Sequence, residues 1–321
     1  MEKVEERTKS ILKSDKIGLI VVMVFLCIVL TMITHDKIFA TKDNFINILL
    51  NASLVGTVAA GETVVLLSGG MDLSIATNIA FQGSLVAVLI TRGMQPAFAI
   101  ILTLLCGIFT GAINAFFISE IKVPPFITTL GTQQVFKGLG FLVSGGSAVY
   151  IQNQKFCRIG SGKLFGIPNP VIQLLIVFLV IAVLLNKTVI GRTIYVIGGN
   201  EKAARLSGIK TRRYNYFIYM LSGFCAALGG IVLAARMTSG QPTAAVGVDM
   251  QAITGAVLGG TALTGGVGGI GGTLLGVLIM SIFQNGLLLL NVNSFYQYIA
   301  NGLLLLFAVT FDALRTKYKK S

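Results

Sequence analysis

Charge is the scarcest property of this sequence. Only 12% of its 321 residues are Asp, Glu, Lys or Arg, about half the ~25% usual for a soluble domain. Histidine occurs once, as His35 in a short polar loop, which argues against a zinc or histidine-based catalytic site. The four cysteines, Cys27, Cys106, Cys157 and Cys225, are widely spaced, three of them in apolar runs. They read as small core residues rather than a metal or disulfide framework. Nucleotide loops are also missing. "GSGKL" (160–164) has Cys157 where a phosphate loop needs glycine and Leu164 where it needs Ser or Thr. "GVGGIG" (266–271) has the glycine spacing of a dinucleotide fingerprint without a preceding strand or an acidic ribose ligand, and reads as a close-packed turn between spans.

What is present is apolar length. The hydrophobic fraction is 54%, the mean hydropathy +0.84, and there are 38 glycines. Long, continuously apolar runs separate clusters of charge, the pattern of an all-α polytopic membrane protein and not of a transmembrane barrel. The net charge of +13 sits on flanks of apolar runs, so it reads as membrane orientation, not nucleic-acid binding. The lead, residues 1–16, is charged and amphipathic. The run 17–34 is long for a signal peptide and lacks a cleavage site, so it reads as a retained span.

At about 20 residues per crossing, ten spans are expected near 17–34, 45–67, 73–91, 96–118, 126–144, 170–186, 214–235, 249–264, 270–290 and 296–313. The 17–313 region is thus expected to be a transmembrane domain, followed by a basic tail, 314–321. Lysines and arginines cluster in the lead, the tail and the segment 187–213, so both termini and that segment are expected in the cytoplasm, with 145–169 as the longest outside loop. A weak internal repeat relates "SGGMDLSIATNIAFQGSLVAV" (68–88) to "SGQPTAAVGVDMQAITGAVLG" (239–259). The two fall on opposite membrane sides, as an inverted-topology repeat requires; chance similarity in a Gly- and Ala-rich chain is the alternative.

Polar residues inside spans are costly and mark function or helix packing. The candidates for a polar path are Asp72, Asn78, Gln82, Thr128, Thr129, Gln133 and Asn285, amid Glu62, Asn114, Gln134, Asp249, Gln251, Gln284 and Asn301. Asp72 and Asp249 are expected at span mouths, with Glu62 as the one deep carboxylate. Amides and hydroxyls outnumber charges, which suits a neutral, hydroxyl-rich solute. Pro124 and Pro125 set a rigid turn before a helix whose Thr128, Thr129, Gln133 and Gln134 form either a pore wall or a packing face.

The passage "GGNEKAARLSGIK" (198–210) has the marks of a complete short helix. Asn200 is the N-cap, Glu201 and Arg205 are an i,i+4 pair, and Gly208 is the left-handed stop. The apolar face, Ala203 with Leu206, is expected to be the contact face, with Arg205 at its rim.

Six ordered stretches, "SGGMDLS", "VPPFITTLGT", "IGSGKLFGIPNP", "GRTIYVIGGNEKAARLSGI", "SGQPTAAVG" and "AVLGGTALTGGVGGIGGTLLGVL", together resemble the membrane permease of bacterial ABC sugar importers. The similarity is to the ribose, xylose and galactose type, which includes the autoinducer-2 permeases, and runs from about Asn44 to Asp312. Met71 stands where isoleucine is commoner, a small change. The resemblance implies a multi-pass inner-membrane subunit that is not an enzyme and carries no cofactor, with ATP and Mg on a separate cytoplasmic ABC ATPase. It implies a second permease copy or a paralogue, an extracytoplasmic sugar-binding protein, surrounding membrane lipid, and no nucleic acid. It also implies that Gly199, Asn200, Glu201, Ala203, Ala204, Arg205, Leu206 and Gly208 belong to the element that couples to the ATPase. The solute is then a monosaccharide or, alternatively, autoinducer-2 or another small polyol. An ion-coupled secondary transporter and a passive channel are the rival readings.

Overall fold

A computed structural model describes the backbone of residues 2–320 and the side chains of residues 17–35 and 37–310. The lead 1–16 and the tail 314–321 lie outside the residues with described side chains. The helices are α1 (Glu2–Ile33), α2 (Lys42–Leu67), α3 (Ile75–Thr91), α4 (Pro96–Phe116), α5 (Pro125–Ser144), α6 (Gln154–Ser161), α7 (Asn169–Lys187), α8 (Val189–Gly199), α9 (Glu201–Leu206), α10 (Thr211–Met237), α11 (Val248–Leu258), α12 (Ile270–Leu289) and α13 (Ser294–Lys320). A five-residue π turn, Phe117–Ile121, extends α4.

Among the described residues, five helices are long and apolar enough to cross a membrane: α2, α4 with its π turn, α7, α10 and α12. α5 has the length, at 20 residues, but Thr128, Thr129, Gln133, Gln134 and Lys137 dilute its apolarity. Two expected spans are shorter than the sequence suggested. α3 begins only at Ile75, and α11 is 11 residues long, ending at Leu258 rather than 264. Gly260, Gly265, Gly266 and Gly268 follow with positive φ, so the chain beyond α11 continues as an irregular turn. Each of these short helices is preceded by non-helical chain, 68–74 and 239–247. Backbone without helical bonds is tolerated at membrane depth only where protein buries it, and Asp72, Leu73, Ser74, Ala245 and Val248 are indeed buried. The segment expected as loop 187–213 contains α8 and α9. The segment expected as outside loop, 145–169, holds α6 and two-residue strands, of which Val149–Tyr150 pairs antiparallel with Ser239–Gly240.

The centre of the bundle is the antiparallel pair α2 and α10. Arg236 Nη1 donates to the Leu50 carbonyl at 3.3 Å, Gly229 lies against Val58, Gly61 against Ser222 and Cys225, and Gly70 against Tyr219. Around this axis the halves of the chain correspond. α10 packs on α3 and α4, while α2 packs on α11 and α12; α3 carries α5, and α11 carries α13. Because α2 and α10 run in opposite directions, the two halves are inverted with respect to each other, which accords with the weak sequence repeat.

Small residues set the spacing. In an apolar solvent helices gain no hydrophobic association, and close backbone packing takes its place. Gly107 and Gly223 bring α4 and α10 together backbone to backbone, Gly83 and Gly230 do so for α3 and α10, and Gly255 with Gly276 for α11 and α12. A Gly223→Val substitution would drive its side chain into the Gly107 carbonyl and the Gly111 amide. It is expected to destabilise the bundle by about 3 kcal/mol or to prevent folding. Gly138→Ala, with no atom near its added methyl, should leave the melting temperature in detergent unchanged.

Candidate functional site

Two features stand out: a polar network in the interior and a capped helix on the surface. The network begins where α2 ends. Ser68 and Gly69 stop the helix, the latter with φ +81°, and the chain turns back into the bundle. There the Asp72 amide donates to Glu62 Oε1 at 3.2 Å. Asp72 Oδ1 accepts from the Ser74 amide at 3.1 Å and its hydroxyl at 2.5 Å, a side-chain turn that launches α3. Asp72 Oδ2 accepts from Ser222 of α10 at 2.7 Å. From Ser74 the chain of bonds continues to Asn114 of α4 at 3.0 Å and from Asn114 to Thr132 of α5 at 2.7 Å. One turn along α3, Asn78 donates to Thr110 at 2.9 Å, and Gln82 donates to Asn78 at 2.9 Å.

These side chains are almost wholly buried: Glu62 and Gln82 are 0% exposed, Asp72 and Asn78 2%. No lysine or arginine joins them by an ion pair among the described residues. Neutral hydrogen bonds alone hold the carboxylates, a high-stakes arrangement at low dielectric. Glu62 Oε2 and Gln82 Oε1 have no partner, and the Tyr219 hydroxyl has only the Met71 amide near its oxygen.

The structure therefore gathers Asp72, Asn78, Gln82 and Thr129, whose hydroxyl donates to the Met71 carbonyl at 3.3 Å, within one protomer's interior. Thr128 is also buried, without a partner for its hydroxyl. Gln133 is half-exposed on the outer side of α5. Asn285 stands apart and donates to Asn44 at 2.8 Å, joining α12 to the start of α2. Asp72 and Asp249 do not lie at open span mouths; both are buried, because the broken helices carry them inward. Glu62 is thus one of three buried carboxylates. The serines and threonines that complete the network, Ser74, Thr110, Thr132 and Ser222, are invisible to a search for intramembrane charge. Hydroxyls at helical spacing on facing spans are their only sequence signal.

The capped helix is α9. Asn200 Oδ1 accepts from the Ala203 amide at 3.0 Å. Glu201 and Arg205 pair at 2.6 Å on the exposed side, an interaction that contributes little to stability there. At the other end Gly208 has φ +83°. Its amide bonds to the Arg205 carbonyl and the Ile209 amide to the Ala204 carbonyl, both at 3.0 Å, which is the full Schellman closure. Arg205 Nε also donates to Thr211 at 3.0 Å, tying α9 to the start of α10. Ala204 is 0% exposed and Leu206 90%. Ala204 is therefore the inward anchor, and Leu206, with Ala203, is the presented face. Upstream, Gly198 is clamped by the Leu67 carbonyl, which itself accepts from the Gly266 amide at 2.9 Å.

An inverted-repeat bundle with broken helices, a closed polar interior and a rigid surface helix defines a membrane transport component. The family described as "Branched-chain amino acid transport system / permease component" matches residues 44–309, and the chain belongs to it. It is a multi-pass inner-membrane permease, a transport subunit rather than an enzyme. The chain is 42% identical over 290 residues to "Ribose import permease protein RbsC" of Bacillus subtilis, covering 90% of both chains. It is 39% identical over 307 residues to "L-arabinose transport system permease protein AraH" of Escherichia coli, covering 96% of this chain and 93% of that one. It is 38% identical over 301 residues to "L-arabinose ABC transporter permease protein AraH" of Azospirillum brasilense, covering 94% and 89%. No solved structure matches.

Ser222→Ala would leave Asp72 Oδ2 buried and unpaired. A loss of about 1–3 kcal/mol is expected, read as a lower thermal midpoint of the detergent-purified chain.

Proposed function

We propose that this chain is the transmembrane subunit of an ATP-driven importer for a monosaccharide, coupled through α9 to a separate cytoplasmic ATPase and supplied by an extracytoplasmic binding protein. The ribose and arabinose permeases named above support the sugar class, and the ABC designation of one relative supports the energy source. In this reading ten segments cross: α1 to α5, α7, α10, α11 with its flanking chain, α12 and α13. The even count returns both termini to the cytoplasm, on the side of α9. A second permease copy or a paralogue completes the pathway. The residues 198–208 couple to the ATPase, and ATP and Mg belong to that partner.

The observation that carries the coupling role is the exposure of Leu206 on a helix closed at both ends. An unsupported loop would flex under load; a helix anchored by Ala204 and by the Arg205–Thr211 bond moves with α10. Alternating access requires the conformations to differ in free energy with and without nucleotide. Asp72, Asn78, Gln82, Thr128 and Thr129 face solute only when α3 parts from α4 and α5, and Gln133 is already at the surface of α5.

A second reading, ion-coupled transport, draws on the burial of Glu62, Asp72 and Asp249 together. Reconstitution with the ATPase and binding protein separates the two. Ribose or arabinose uptake is expected to require ATP hydrolysis, and uptake that continues without ATP under an ion gradient overturns the proposal. The coupling face is tested by Leu206→Asp. As an exposed substitution it should change stability by no more than about 0.5 kcal/mol, yet abolish co-purification of the ATPase; retained co-purification would disprove the assignment.

A further inference from the structure

A small cavity of about 210 Å³ lies between α9, the α4–α5 turn, the end of α2 and the first turns of α10. Its exposed mouth carries Lys122, Glu201 and Arg205; deeper are Asn215, Gly70 and Tyr219. At about 30 Å³ per water, it has room for a single sugar ring rather than a nucleotide.

Three observations say what would occupy it. The Tyr219 hydroxyl is buried and lines the cavity; the Met71 amide approaches its oxygen, but its proton has no acceptor, a cost that an occupant would relieve. Arg205 is neutralised by Glu201, whereas Lys122 has no ion pair among the described residues, so the mouth keeps a net positive charge. The Lys122 backbone adopts φ +68° where the π turn closes, immediately before Val123 and the two prolines, and its side chain is exposed at the mouth. A cation at the mouth, an amide on the wall and a hydroxyl proton without an acceptor inside suit a compact solute with an anionic end and hydroxyls at the other.

We infer that this cavity binds a monosaccharide monophosphate, with the phosphate at Lys122 and the sugar hydroxyls toward Asn215 and Tyr219. The inference rests on the proposed sugar importer and on the cytoplasmic placement of α9. An occupant there bridges α9, the α4–α5 turn and α10, and so holds the coupling helix against the bundle. The phosphorylated form of an imported sugar would then slow further import from the cytoplasmic side. The reaction that forms this ligand is phosphoryl transfer from a nucleotide to a sugar hydroxyl, on another protein.

The test is equilibrium binding to the full-length permease in lipid nanodiscs, without ATPase or ATP. The probes are ribose 5-phosphate, ribose and inorganic phosphate. Ribose 5-phosphate is expected to bind saturably and more tightly than either other probe. Lys122→Gln and Tyr219→Phe should each weaken it at least about tenfold. Tyr219→Phe keeps the buried ring and gives up only the Met71 amide contact, so an unchanged thermal midpoint beside lost binding reports the ligand contact. Absence of saturable binding, equal binding of inorganic phosphate or free ribose, or unchanged binding in both variants overturns the assignment. None of these outcomes bears on ATP-dependent uptake, so this inference and the proposed function fail separately.

Discussion

The antiparallel contact of α2 with α10 is the constraint on which the rest of this structure depends. It places the two halves of the chain in opposite directions, so that each half's broken helix packs against the other half's central helix. Ser222 of α10 reaches Asp72 of the first half because of it. The contact is built from small side chains, and its tightness comes from backbone approach rather than interdigitated bulk. In a solvent as apolar as the side chains themselves, that is the available source of cohesion.

The same absence of water explains why polar groups are so thoroughly interlinked. Asp72 has four contacts to share among Ser74, Ser222 and Glu62 because none can be left to solvent. In the proposed alternating access, parting α3 from α4 and α5 would break the Asn78–Thr110, Ser74–Asn114 and Asn114–Thr132 bonds together.

Much of this was legible in the chain. Continuous apolar runs gave the class, and Asn200, Glu201, Arg205 and Gly208 spelled out α9 from cap to stop, because capping is local chemistry. What escaped was long-range. Nothing near Asp72 in sequence reveals that Ser222 will hold it, or that the chain at 68–74 turns inward and buries it. Ala204 and Leu206 are both apolar residues on one short helix, and only the packing of α9 on α8 and α10 buries the first and exposes the second. The short α11 was missed for a related reason: hydropathy counts apolar residues and does not register that glycines with positive φ have ended the helix.

The strand pair Val149–Tyr150 with Ser239–Gly240 is small, yet it changes how the two faces of the protein relate. Backed by the Ile151 amide on the Thr238 carbonyl at 2.8 Å, it fastens the 145–169 segment to the chain that leads into α11. At the far end of that same stretch, Gly266 is bonded to Leu67 beside Gly198, at the root of α9. Residues 239–266 are therefore held by backbone hydrogen bonds at both ends, to Val149–Tyr150 at one and to Leu67 at the other, with α11 packed on α2 and α12 between them.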